Sequence, residues 1–343
     1  MASPVIVTGV LSFGMSGRVF HAPFVEAHEG FRLKAVVERS NKTARDIYPE
    51  IVSYDSIDAL LADAEIELVI VNTPNGLHYE HAKAALLAGK HVLVEKPAAV
   101  TVAELEELYA IAAQQNRYLM VYQNRRWDGD FLSVKSIVES GRLGELVEVH
   151  FRFDRYKNEI GVKQFKEVAN TPGSGLTYDL GPHVLDQVIS LFGKPLKCTK
   201  ITGMHRKGSQ VADYFHYQLS YPNQLTAFVT GSLLVAHPLP GFVLHGTTGS
   251  YIKSRENVQE EQLVANMSVT DATYGKGSDS EVGVLTTVTA DGKKQTESVV
   301  PPVENYLGLF TAVYEQIANG VAYPITQQQV RWQMELLEMP ATL

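Results

Sequence analysis

Between residues 4 and 123, short apolar runs alternate with longer mixed stretches, and this alternation restricts the fold more than any other feature of the chain. The segments 4–10, 31–38, 66–72 and 118–123 and the apolar residues of the run 91–97 read as strands, and 18–27, 57–63, 77–88 and 100–115 read as helices. Strands joined through helices of this length lie parallel, and a parallel sheet needs both faces covered. The expectation is an α/β Rossmann domain, a doubly wound parallel sheet.

From residue 146 the period changes to strict alternation. Strands are expected at 146–154, 197–204, 214–221, 225–233, 242–245, 250–253, 284–289 and 296–300, the last two flanking the hairpin signal Asp291-Gly292. Helices are expected at 131–140, around Pro182, at 305–318 and at 330–338, and the polar, glycine-spotted stretch 256–283 reads as an irregular loop. This pattern describes an α+β domain with a mostly antiparallel open sheet. A chain of 343 residues accommodates two such domains, expected at 1–123 and 124–343.

A formal net charge of -8 and the lack of any basic run argue against nucleic acid or a membrane surface as partner. Cys198 is the single cysteine, so no internal disulfide forms, and no signal peptide or membrane span is read, which makes a cytoplasmic location the expectation.

The first turn reads Ser12-Phe13-Gly14-Met15-Ser16-Gly17, a G-x-G-x-x-G frame with serine in the first glycine's place. Small residues there let main-chain amides and a helix N-terminus approach a pyrophosphate. Glu38 closes the second strand, where an acidic side chain holds the ribose 2'-hydroxyl of NAD, yet Arg39 and Ser40 beside it suit the 2'-phosphate of NADP. NADP is the expected cofactor, with NAD as the alternative. Thr73-Pro74-Asn75 and His78 leave another strand at the same carboxyl edge and are read as cofactor contacts, His78 alternatively as a cap.

The run 91–97 ends in Glu95-Lys96-Pro97. Pro97 cannot continue a ladder and keeps Lys96 extended, so the ammonium is presented where ligands bind in such sheets, and Glu95 is counted with the cofactor residues. Asn124-Arg125-Arg126-Trp127-Asp128 follows the last strand of the domain; its cations and aromatic suit a polyol, the cofactor (Trp127) or an ion pair at the domain junction. Further on, Asp179 precedes Pro182, and His183 and Asp186 share one helical face. Asp, His and Asp can bind a divalent ion, but no further histidine or cysteine joins them and a nearby lysine repels cations; satisfied structural polar groups are a second alternative, proton transfer is the preferred reading and no metal is expected.

Taken together and in order, Phe13-Gly14-Met15-Ser16-Gly17-Arg18-Val19-Phe20-His21-Ala22-Pro23, Thr73-Pro74-Asn75 with His78, Glu95-Lys96-Pro97, Asn124-Arg125-Arg126-Trp127-Asp128, and Tyr178-Asp179-Leu180-Gly181-Pro182-His183 with Asp186 resemble the Gfo/Idh/MocA oxidoreductases. The serine in the turn and the Phe-His-Ala-Pro run look like the branch with NADP-dependent scyllo-inositol dehydrogenases. The resemblance implies catalytic roles for Lys96, Asp179 and His183, a Lys-Pro bond that is often cis, and a homodimer or homotetramer through the exposed sheet. In relatives the final helix usually runs on, whereas here the sequence stops at Leu343, which puts packing at that end in question.

Hydride transfer between a secondary alcohol and nicotinamide needs a base for the hydroxyl proton. His183 titrates near neutrality and is assigned that role; Lys96 stabilises alkoxide charge, with exchange of the two roles left open; Asp179 orients the histidine or the substrate. Asn124, Arg125 and Tyr178, with Lys96, Asp179 and His183, are the expected contacts to a sugar or polyol. The alternatives are a reductase of a dicarbonyl or unsaturated substrate and a non-catalytic dinucleotide-dependent regulator.

Overall fold

The computed structural model describes residues 4–160, 171–278, 282–303 and 305–342. Six strands of the first 124 residues form one parallel sheet: β1 (Ile6–Val10), β2 (Phe31–Val37), β3 (Val52–Tyr54), β4 (Leu68–Val71), β5 (His91–Glu95) and β6 (Leu119–Tyr122). Their order, β3-β2-β1-β4-β5-β6, is that of a doubly wound fold, and it reverses direction between β1 and β4. All four residues of β4 are buried, as a strand covered on both faces requires.

After β1 the chain is helical from 15 to 27, with a wide π turn over Gly17–His21 leading into α1 (Ala22–Ala27). The short α2 (Ala44–Ile47) and α3 (Ile57–Leu61) follow β2 and β3, and α4 (His78–Leu87) follows β4. Helix α5 (Val102–Gln114) begins at a reciprocal cap in which Thr101 Oγ1 accepts the Glu104 amide at 3.2 Å and Glu104 Oε2 accepts the Thr101 amide at 3.1 Å. Strand β3 is absent from the sequence reading because its three residues include Ser53 and carry no apolar run.

The second sheet has eight strands in the order β14-β13-β12-β11-β7-β10-β9-β8. After α6 (Gly129–Glu139) comes β7 (Leu146–Asp154), in which Val149, Phe151 and Phe153 face the core while Glu148, His150 and Arg152 alternate outward. Helices α7 (Leu176–Asp179) and α8 (Gly181–Phe192) precede β8 (Lys197–Gly203), β9 (Tyr214–Ser220), β10 (Thr226–Ser232), β11 (Phe242–Gly246) and β12 (Gly249–Lys253). Only the β7–β10 pair is parallel among the named pairings of this sheet, and α8 packs on those two strands.

Residues 256–283 are not simply a loop: α9 (Val258–Val264) forms within them, burying Gln259 and Leu263, while 279–281 lie outside the described residues. A seven-residue helix with two buried positions leaves too little periodicity to read. The hairpin β13 (Gly283–Val288) and β14 (Lys294–Val299) closes through Gly292, whose φ of +79° demands glycine. Helices α10 (Leu307–Asn319) and α11 (Gln327–Glu338) complete the described chain.

The chain does not divide at a single point. One compact unit comprises Met1–Asn124, Gln259–Tyr274 and Asn305–Gln327; the other comprises Arg125–Val258, Gly275–Glu304 and Gln328–Leu343. The first crossing falls between Asn124 and Arg125, where the sequence suggested a single boundary at 123/124, and further crossings follow. Among the described residues no helix is long and apolar enough to cross a membrane.

Candidate functional site

In the first unit the carboxyl ends of β1, β4 and β5 carry the residues singled out above. After β1, a Cβ on Gly17 would lie 2.0 Å from the Ser12 carbonyl oxygen, so no side chain fits at this point of the turn. Ser12 Oγ accepts the Gly14 amide at 3.4 Å, and Asn72 Nδ2, just past β4, donates to the Ser12 carbonyl at 2.8 Å. The first helical bond runs from the Arg18 amide to the Gly14 carbonyl at 3.0 Å, which leaves the preceding amides without helical acceptors. Asn72 is buried, and its Oδ1 has no partner among the described residues. A tight turn with open amides, exposed Gly14 and Met15, and an orphaned carboxamide oxygen fits the pyrophosphate end of a dinucleotide. Phe13 is buried beneath the turn, edge-on to Tyr48.

Glu95 ends β5. Its Oε1 lies 2.9 Å from His21 Nε2 and accepts Ser16 Oγ at 3.2 Å; its Oε2 accepts the Lys96 amide at 3.2 Å. Burial pushes this carboxyl up, but the hydrogen bond from His21 and the positive charges around it outweigh burial and hold it below the usual range. Lys96 follows, half-buried, and its peptide bond to Pro97 is cis.

Two expected cofactor contacts are engaged elsewhere. His78 is buried with Nδ1 2.7 Å from the Pro97 carbonyl and Nε2 2.7 Å from the Thr73 carbonyl, so both nitrogens face main chain and neither is left for a cofactor. Burial lowers its pKa, and the two carbonyls offset this in part. Glu38 is likewise buried. Its Oε1 accepts the amides of Thr43 at 2.8 Å and Ala44 at 3.1 Å, and its Oε2 accepts Ser53 Oγ at 2.7 Å, so it caps the start of α2 instead of facing a ribose. Arg39 and Ser40 next to it are exposed. Thr73 holds His81 Nδ1 at 2.8 Å through its hydroxyl, and Pro74 with Asn75 opens a single 3-10 turn.

In the second unit Asp179 ends α7, exposed, and His183 lies buried in the first turn of α8, its ring 6.4 Å from that of Phe153. Tyr178 is half-buried on α7. Gly175 starts this segment at φ +81°, and a Cβ there would meet Val211 at 3.0 Å. The polar stripe of α8 has a structural explanation beyond His183. Asp186 takes a bidentate pair from Arg126, with both distances 2.7 Å, and Gln187 donates to the Arg125 carbonyl and accepts Arg255.

Arg125 departs from its expected place as a substrate contact. It is buried, donates to Asp128 and Asn257 at 3.1 Å each, and stacks over Phe153 at 4.8 Å. Trp127 is half-buried at the end of the 3-10 turn that Asn124 begins, and Asn124 is itself buried. Among the described residues no group of three or more histidine, cysteine, aspartate or glutamate side chains is arranged to hold a metal ion.

Two residues of this edge escaped the sequence reading as site members, Asn72 and His21. The visible signals were a polar residue closing an apolar strand and a histidine inside Phe-His-Ala-Pro.

A dinucleotide-binding sheet followed by an open antiparallel sheet is the architecture of a class of nicotinamide oxidoreductases. Residues 5–123 match the NAD-binding Rossmann fold of the GFO/IDH/MocA oxidoreductase family, and residues 131–252 match the GFO/IDH/MocA C-terminal domain. The chain is 39% identical to the uncharacterized oxidoreductase C115.03 of Schizosaccharomyces pombe, over 95% of this chain and 94% of that one. It is 35% identical to the scyllo-inositol 2-dehydrogenase (NADP(+)) IolW of Bacillus subtilis, over 94% and 89%. An oxidoreductase structure from Bacillus cereus superposes with a TM-score of 0.88 at 34% identity, covering 97% of this chain and 95% of that one. The chain therefore belongs to the Gfo/Idh/MocA family of NAD(P)-binding oxidoreductases.

Proposed function

We propose that the protein transfers a hydride between NADP and a secondary hydroxyl of a sugar or cyclic polyol resembling scyllo-inositol. The observation that carries this reading is the carboxyl edge of the first sheet, where one turn, Asn72, Glu95 and Lys96 are tied together by hydrogen bonds. The choice of NADP is supported by Glu38, whose carboxylate is taken up by α2 while Arg39 and Ser40 stay exposed to receive a 2'-phosphate. The polyol is supported by the similarity to a scyllo-inositol dehydrogenase.

NADP supplies the nicotinamide that accepts the hydride. In this reading the Lys96 ammonium donates to the substrate oxygen and stabilises alkoxide charge as it develops. His183 takes the hydroxyl proton and Asp179 supports the charged ring.

Absorbance at 340 nm with the purified chain, NADP or NAD, and a panel of inositols and sugars tests the reading. NADP should be reduced faster than NAD with at least one polyol. Lys96→Met and His183→Ala should each lower turnover by about 100-fold or more while leaving NADPH affinity within a few-fold. A flat trace with every polyol, or near-normal rates in both variants, would overturn it.

A further inference from the structure

His21 sits on the π turn before α1 with no exposed surface. The rings of Tyr122 and Phe310 lie 4.5 and 6.4 Å from it. An apolar side chain would fill this aromatic box without leaving a nitrogen unpaired, so packing alone does not call for histidine. Its Nδ1 is buried with no partner among the described residues, and its Nε2 faces Glu95 Oε1 at 2.9 Å. The neutral ring therefore carries its proton on Nε2, since the other tautomer would turn a lone pair toward the carboxylate and bury an N–H with no acceptor.

The same carboxylate joins two parts of the site. Oε1 accepts Ser16 Oγ from the dinucleotide turn, and Oε2 accepts the main-chain amide of Lys96. One half-buried carboxylate thus reaches back 79 positions in the chain to Ser16 while holding the amide next to it.

We propose that His21 is a positioning residue: its Nε2–H holds the Glu95 carboxylate in the orientation that ties the dinucleotide turn at Ser16 to the main chain at Lys96. The proposal rests on the assignment of that turn to the cofactor and of Lys96 to proton transfer. The charged or titratable groups facing Glu95 are His21, Lys96 next in the chain and His78 from α4; Tyr122 pairs with Glu95 across β6 but turns its hydroxyl to the Phe20 carbonyl at 2.9 Å. Without the His21 donor, the carboxylate loses the largest of the influences that oppose its burial, the Ser16 and Lys96 donors and the Lys96 charge remain, and the carboxyl protonates at a higher pH. A protonated Glu95 loses charge toward both Ser16 and the Lys96 amide.

The test is NADPH affinity, read by cofactor fluorescence on the full chain across mildly acidic to mildly alkaline pH. His21→Phe fills the box without a donor, and His21→Gln restores an N–H. The ratio of His21→Phe to wild-type Kd should rise at least fivefold from the alkaline to the acid end, while His21→Gln stays within about twofold of wild type throughout. A folded His21→Phe chain with a constant ratio near one would overturn the proposal. Glu95→Gln is the second variant should His21→Phe not fold: it keeps the shape but removes the titration, so binding should weaken alike at every pH, and wild-type affinity would count against the proposal. If the wild-type chain binds neither NADPH nor NADH, the cofactor reading falls and takes this inference with it; if wild type binds and the variants match it, the inference alone falls.

Discussion

Gly17 has no room for a methyl group, because the Ser12 carbonyl, with the Asn72 carboxamide bonded to it, stands where the Cβ would go. Gly17→Ala should therefore lower stability by about 2 kcal/mol or more and weaken NADPH binding at least about tenfold, both measurable by thermal melting and fluorescence titration. The need for small residues in this turn was legible because it is local. The Asn72 contact was not, since it links positions 60 apart in the chain. Glu38 shows the same limit from the other side: a carboxylate at a strand end suggests a ribose contact, but the competing donors of Thr43, Ala44 and Ser53 become visible only once β3 and α2 are folded beside it. His183 and Asp186 share a helical face as the spacing implied, yet only geometry separates the second as the partner of Arg126.

At the level of elements, most strands and helices lie within a few residues of their sequence reading, because periodicity reports burial directly. The end of the chain was open to question, and it is held by a side chain from the sheet. Lys200, buried in β8, donates to the carbonyls of Leu337 and Met339 at 2.7 Å each, where α11 finishes, and its own carbonyl accepts the Thr342 amide at 2.6 Å. Burial pushes its ammonium down to about 8, so it remains mostly charged at neutral pH. Helix C-termini favour such a cation. Lys200→Met should cost about 1–3 kcal/mol in urea unfolding, with an unchanged slope, by leaving these carbonyls without their charged donor. No loss would mean that water caps α11 equally well.

For the molecule as a whole, histidines set the acid limb of stability. His28, His78, His81, His91 and His216 all have imidazoles held below their ordinary value, in each case chiefly by burial. His91 reaches about 4, with Arg117 adding to burial, and its Nδ1 accepts the Tyr118 amide at 3.1 Å as only a neutral ring can. Unfolded, these rings titrate near about 6.5, so between the two values the unfolded chain binds more protons. Their contribution is complete above about 6.5 and is lost as the pH falls below it, for His91 down to about 4. Urea midpoints should drop progressively from about pH 7.5 to about pH 5, and His91→Gln should flatten part of that slope. A midpoint that does not move over this range would refute the argument.

The return of late segments to the first unit has a consequence for how the protein is made. Phe24 stacks on Phe310 at 5.3 Å and lies beside Tyr274 and Tyr306, while Tyr314 and Tyr323 donate to the carbonyls of Pro4 and Val121. During synthesis on the ribosome the dinucleotide sheet emerges first, yet the aromatic cover for its first helix emerges some 280 residues after Phe24. A nascent chain passes through a long interval with Phe24 bare, as is Phe31, which Phe310 and Tyr314 later meet edge-on, and a fragment ending at residue 124 carries that sticky face permanently.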